Sequence, residues 1–200
     1  YTLVGDVNSG GTCFYIQAND ITLDCKGFKI NYSQSVEGYG VNISGYNYTT
    51  IRSCNIVQGS TSTFSHGIYV FSKSHNNKIN NNTIINYGNN GNGIDLENTV
   101  YNNSIYNNNI TANTDGIFGY NVFYNNSIFS NTIIANTPIG GDGIRIRTNA
   151  YNNDIYNNTI TTPTTGSVNK GYGIHLFDIA YNNNIYENIM VGTSSGAGGI

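Results

Sequence analysis

The feature that most constrains this chain is a landmark that returns in fixed register. Gly-Ile occurs at Gly67, Gly93, Gly116, Gly143, Gly173 and Gly199, with Gly40-Val41 one step earlier, at spacings of 27, 26, 23, 27, 30 and 26 residues. Nine residues after each of the five glycines from Gly67 to Gly173 an Asn-Asn pair begins, at Asn76, Asn102, Asn125, Asn152 and Asn182. Each pair leads to an isoleucine (Ile79, Ile105, Ile128, Ile155, Ile185), and an apolar residue follows five positions on (Ile84, Ile110, Ile133, Ile160, Met190). Seventeen residues therefore keep register, and the length variation falls between the last landmark and the next glycine. A repeat of this period reads as a solenoid with one permissive loop per turn.

Each repeat holds three short apolar segments of period two, separated by Asn, Gly and Thr, too short for helices. One repeat alone cannot bury its apolar face. Copies stacked at the strand spacing of about 4.8 Å bury a continuous isoleucine column and pair every backbone donor with a neighbouring rung. The fold class expected is all-β: a right-handed, single-stranded parallel solenoid of about seven rungs of three strands. Those rungs start near Cys13, Gly40, Gly67, Gly93, Gly116, Gly143 and Gly173. The 200 residues read as a single domain, 1–200. The opening "YTLV" is already strand-like and Gly199-Ile200 begins another rung, so the expectation is a length of a longer coil, open at both ends.

Composition fits this. The chain has 37 Asn, 17 Tyr, one Met and no Trp, with 10% charged residues and a net charge of −3. So small a charge excludes the basic footprint of a nucleic-acid binder, and no run reaches the length of a membrane-spanning helix. Two residues before each inward isoleucine, on the same side by strand parity, stand Asn77, Asn103, Asn126, Asn153 and Asn183. A second column holds Asn82, Asn108, Asn131, Asn158 and Asn188. Stacked one per rung at a turn, these amides are placed to bond to one another and to turn backbone, with Asn tolerating positive φ there.

The "GIxL" and "NNxIxNNxI" segments, from roughly residue 11 onward, resemble the right-handed parallel β-helix repeats of the pectate-lyase-like superfamily. The opening "SGGTCFYIQANDITLDCKGFKI" is similar to the first rungs of surface-associated archaeal and bacterial members. The resemblance implies the fold, while the same coil carries lyases, hydrolases, spikes and inert surface proteins.

On that coil Cys54 occupies an Asn position of the second column and Cys25 lies 29 residues earlier, one rung back. Equivalent Cα atoms of neighbouring rungs are close enough for a disulfide. A Cys25–Cys54 bridge is expected, the alternative being two free thiols, and Cys13 is left over. A bridge places the chain outside the cytoplasm, extracellular or at the cell surface.

In enzymes of the resembled superfamily the working groups project outward from one strand. Behind each Gly-Ile the outward pairs are Tyr69/Phe71, Asp95/Glu97, Phe118/Tyr120, Arg145/Arg147 and His175/Phe177. Asp95, Glu97, Arg145 and His175 are the catalytic candidates if the chain is an enzyme, with an acid and an arginine two rungs apart flanking a sugar and the aromatics as platforms. "NTDG" at 113–116 and "GGDG" at 140–143 resemble acidic motifs of polygalacturonases, which use paired carboxylates. Here the second motif holds one acid, Asp142, no "GHG" follows, and the residue before Gly-Ile varies freely through His66, Asn92 and Tyr172. No metal-ligand spacing and no cofactor motif is present, so none is expected.

Eight glycosylation sequons stand at Asn31, Asn42, Asn47, Asn81, Asn102, Asn109, Asn125 and Asn157, a number that composition alone produces. Outward acceptors are candidate glycan sites in an extracellular protein. Tyr106, Phe129, Tyr156 and Tyr186 fall outward on successive rungs as an aromatic stack, which either stabilises the sheet or meets glycans or a neighbouring subunit. The functional expectation is a non-catalytic extracellular structural protein (coat, stalk or filament subunit), glycosylated, whose partners are copies of itself or other surface proteins. The alternatives are a polysaccharide lyase or hydrolase and a glycan-binding adhesin.

Overall fold

The computed structural model describes residues 1–60, 63–135, 141–162 and 171–192, all of it strand, turn and loop. Every strand pair is parallel and joins residues one repeat apart, as in Ile84↔Ile110 and Ile105↔Ile128. Such pairing winds the chain into a right-handed coil, the hand that twisted strands impose on parallel connections.

One sheet begins each rung behind the glycine landmark and stacks seven strands: Phe14–Ile16, Val41–Ser44, Ile68–Phe71, Ile94–Glu97, Ile117–Tyr120, Ile144–Arg147 and Ile174–Phe177. A second sheet of seven runs from Thr22–Asp24 to Asn184–Tyr186 and carries the isoleucine after each Asn-Asn pair. A third, of eight strands, runs from Val7–Asn8 to Ile189–Gly192. Among the described residues seven stacked strands delimit six full turns, so the coil there has about six turns, slightly fewer than the seven rungs expected.

The expectation of three strands per rung needs a second correction. A fourth, short sheet stacks Val100–Tyr101, Val122–Tyr124, Asn149–Tyr151 and Ala180–Tyr181 between the glycine-led strand and the Asn-Asn turn. Left-handed residues at Asn98, Thr99, Asn121, Thr148 and Asp178 bend the chain into it. Val100, Phe123 and Ala150 then point inward, fully buried, and the tyrosines point out.

The core is the stacked column of Ile30, Ile56, Ile84, Ile110, Ile133 and Ile160 facing Ile68, Ile94, Ile117 and Ile144, all fully buried. The landmark glycines exist because this column leaves them no room. A Cβ on Gly93 would lie 2.4 Å from Ile110 Cγ2 and 2.6 Å from the Gly116 carbonyl.

Both asparagine ladders form, and the pair has a division of labour that corrects the expected role of φ. The first Asn takes the left-handed conformation, with φ of 56° at Asn76, 55° at Asn102, 54° at Asn125 and 56° at Asn152. The second Asn is buried. Asn108 Oδ1 accepts the backbone N–H and the side-chain amide of Asn82, each at 3.0 Å. Its own Nδ2 donates to Ile79 O at 2.9 Å and to Asn131 Oδ1 at 3.0 Å. All four bonding positions of that amide are filled. The same pattern repeats through Asn131, Asn158 and Asn188. At the base of this column Cys54 N donates to Asn82 Oδ1 at 3.0 Å, and Cys54 is bridged to Cys25 across a Cα separation of 4.7 Å. The disulfide thus continues the ladder covalently. Cys13 is free, its thiol pushed up to about 11 by burial.

Candidate functional site

The outer face of the glycine-led sheet gathers the charged chemistry, in an arrangement the linear spacing only half reveals. The residue before each landmark glycine, which sequence shows as variable, forms a third ladder running opposite to the asparagine ladders. His66 Nδ1 accepts the Asn92 backbone N–H at 3.0 Å, and Asn92 Oδ1 accepts that of Asp115 at 3.2 Å. Asp115 Oδ1 accepts that of Asp142 at 2.8 Å, and Asp142 Oδ1 accepts that of Tyr172 at 2.7 Å. The slot tolerates His, Asn and Asp because each offers an acceptor at the same height.

Each aspartate keeps its second oxygen for the outward side chains. Asp142 Oδ2 lies 2.9 Å from His175 Nδ1 and 3.8 Å from Arg145 Nε, and Asp115 Oδ2 lies 3.6 Å from Arg145 Nη1. Burial pushes the Asp115 carboxyl up to about 6, against the pull of the Asp142 backbone amide and the Arg145 guanidinium. Arg145 is also seated over Phe118, 5.8 Å from the ring centroid, and Phe177, 5.4 Å, at cation–π distance.

Of the sequence candidates, Arg145 and His175 are therefore brought together, through Asp142. Asp95 is not part of that group. It is 2% exposed, takes the Asn92 side-chain amide at 2.7 Å, and lies 3.1 Å from His66 Nδ1. That last contact is no ion pair: Nδ1 already accepts an amide proton, and burial lowers the His66 pKa to about 4 while raising that of Asp95 well above the carboxylate range. Glu97 accepts the Tyr69 hydroxyl at 3.1 Å. Arg145 is paired with Asp115 and Asp142, because the ladder slot sets those carboxylates beside it, while Asp95 and Glu97 stand two rungs away. The glycine motifs flagged both aspartates; their partnership with Arg145 needed the register.

The expected aromatic stack is present. Tyr106, Phe129, Tyr156 and Tyr186 stack at centroid separations of 4.9, 4.9 and 5.0 Å with ring planes within 3° of parallel. A second stack, which sequence reading missed, joins His75, Tyr101, Tyr124, Tyr151 and Tyr181 at 4.6 to 5.1 Å. Its signal was the tyrosine preceding four of the Asn-Asn pairs. In both strips the rings cover one another's faces.

Among the sequon asparagines, Asn81, Asn102, Asn109, Asn125 and Asn157 are exposed. Asn31, Asn42 and Asn47 are half-buried and hydrogen-bonded, Asn47 Oδ1 to the His75 backbone N–H. Among the described residues no cluster of three or more His, Cys, Asp or Glu could hold a metal ion, and no helix is long and apolar enough to cross a membrane. Gly140 of the second acidic motif and the Gly199-Ile200 terminus lie outside the described residues.

Comparison with known proteins adds the family. The family model for the right handed beta helix region matches residues 6–160 and again 39–200. No curated protein and no solved structure gave a match. The two matches overlap and together span the coil from its first rungs, so by repeat, by register and by family model the chain belongs to the right-handed β-helix family.

Proposed function

We propose that this chain is a non-catalytic structural coil of an extracellular or cell-surface assembly. The observation that carries the reading is the commitment of its polar side chains to bonds between rungs. Asp115 and Asp142, the acids best placed for chemistry, each give one oxygen to a backbone amide of the next rung and turn the other towards Arg145, with His175 on Asp142. Two saturated amide ladders, two aromatic stacks and a disulfide do the same work along the coil axis. The disulfide supports an oxidising location, and the exposed sequons are the sites proposed for glycans there. The test is incubation with a panel of acidic and neutral polysaccharides while following new reducing and unsaturated ends. No product is expected. Turnover abolished by Asp142→Asn would overturn the reading.

One observation favours a second reading, a polysaccharide hydrolase or lyase on the same face. Asp115 is a carboxyl raised to about 6 beside a second carboxylate, an arginine and a histidine, the kind of contrast from which acid–base pairs are built. In that case Asp115→Asn and Asp142→Asn both abolish turnover, whereas Asp95→Asn leaves it in place.

A further inference from the structure

The outer face of the glycine-led sheet is ordered along the coil axis. From Ile68–Phe71 to Ile174–Phe177 its outward pairs run aromatic (Tyr69/Phe71), acidic (Glu97, its neighbour Asp95 being buried), aromatic (Phe118/Tyr120), basic (Arg145/Arg147), then His175/Phe177. This sequence of characters is complementary to its own reverse. A two-fold axis laid along the strand Ile117–Tyr120, in the plane of a face-to-face contact, keeps the strand direction and inverts the order of rungs. It sets Glu97 against the second copy's Arg147, Phe71 against its Phe177, Tyr69 against its His175, and Tyr120 against its own equivalent. Isologous interfaces require this self-complementarity.

From this pattern we propose that two copies of the chain pair through this face with their coil axes antiparallel, held by reciprocal Glu97–Arg147 contacts. Among the described residues neither side chain has an opposite charge within salt-bridge distance in its own chain. Both are also held ready. Glu97 is fixed by the Tyr69 hydroxyl at 3.1 Å. Arg147 is clamped between Tyr120, 5.6 Å from the ring centroid, and Phe177, 4.8 Å, and its buried Nε has no hydrogen-bond partner. Little rotamer freedom is therefore lost on contact. Five rungs of four residues offer about 300 Å² per copy, well under the roughly 800 Å² per partner of a stable complex. The pair is thus a weak, salt-sensitive contact, suited to repetition in an assembly rather than to an isolated dimer. The proposal rests on the structural reading for its biological meaning, but its test is separate.

The test is charge exchange, followed by sedimentation velocity at low salt. Wild-type chains should associate with rising concentration, less so at high salt. Glu97→Arg and Arg147→Glu should each lose about tenfold or more in association, since each sets like charges across the axis. Mixed one to one they should recover association to within a few fold, because every contact is again between opposite signs. Glu97→Gln, which keeps side-chain volume, and Arg147→Gln, which shortens the side chain while removing its charge, serve as milder variants should reversal perturb folding, and should weaken association and its salt dependence together. A wild-type chain that stays monomeric to about 1 mM, the weak end of the affinity scale, overturns the proposal. So does a mixture no more associated than its components, or a pair of Gln variants that associate like wild type. Release of polysaccharide fragments, by contrast, would sink the structural reading and leave this pairing standing.

Discussion

Gly119 and Phe123 fill one space between them. A Cβ built on Gly119 would lie 2.8 Å from Phe123 Cδ2, and the ring occupies the volume that larger inward side chains fill on neighbouring rungs. The rung before carries Leu96 with Val100, and the rung after carries Ile146 with Ala150, at the same two registers. Gly119 with Phe123 and Ile146 with Ala150 fill nearly the same volume, divided differently between the two strands. Gly119→Ile alone should cost about 1–3 kcal/mol or more through overpacking, and Phe123→Ala alone about 3–5 kcal/mol through a cavity. The double variant recreates the following rung and should recover most of the loss. Urea denaturation of the three variants checks it; additive losses would mean that the two sites are independent.

The two asparagines of one turn should respond unequally to the same change. Asn108→Asp replaces a buried donor that serves Ile79 O and Asn131 Oδ1 by a carboxylate facing two acceptors, a loss of about 3–5 kcal/mol at neutral pH. Asn107→Asp, exposed and needed only for its φ of 55°, should change stability by less than about 0.5 kcal/mol. Equal denaturation midpoints for the two variants would contradict the ladder.

Asp115→Asn should stabilise the coil at pH 7. Its carboxyl has a folded pKa of about 6, above the unfolded value, so the group favours the fold fully below pH 4 and loses that contribution as pH rises through 6. Asparagine keeps the ladder acceptor, as Asn92 does one rung earlier. The variant should gain about 1–3 kcal/mol at pH 7, less whatever Arg145 loses, and the gain should vanish near pH 4. His66, lowered to about 4, works in the other direction, favouring the fold above pH 6.5 and losing that as pH falls through 4. For that reason the informative quantity is the difference between variant and wild-type melting curves across pH 4–7.

Reduction of Cys25–Cys54 releases a loop of 29 residues, which the chain-entropy model values at about 3–4 kcal/mol. A lowered melting temperature in dithiothreitol is expected. A non-reduced digest should show the two peptides linked, and two alkylated thiols would remove the bridge.

The repeat was legible because its cause is strictly periodic. Only glycine fits against Ile110 and its equivalents, and only a buried amide closes each turn, so those letters recur at fixed spacing. What stayed hidden depended on how rungs meet. The partners of Arg145 sit one rung apart and were visible as motifs, but their bonding to backbone amides follows from the stacking, not from the motif. The second aromatic stack was overlooked for a related reason: the short strand beneath it holds Val100, Phe123 and Ala150 inward, a column with no shared size and hence no apolar periodicity to read. The Cys25–Cys54 bridge lay between, since it needed the fold first and then followed from rung spacing alone.

The polarity of the asparagine ladders has a mechanical consequence. The backbone N–H that closes a turn in one rung is received by a side chain belonging to the following rung, as Asn77 N is by Asn103 Oδ1. No turn is complete until its successor has docked. Tension applied at the C-terminal side therefore meets the rungs in series, each removal stripping the last closed turn of its acceptor and weakening the next. With 23 to 30 residues per repeat, each yielding event should lengthen the chain by about 80–100 Å of contour. The peeling should halt at Cys25–Cys54, where the ladder becomes covalent and force can no longer open it.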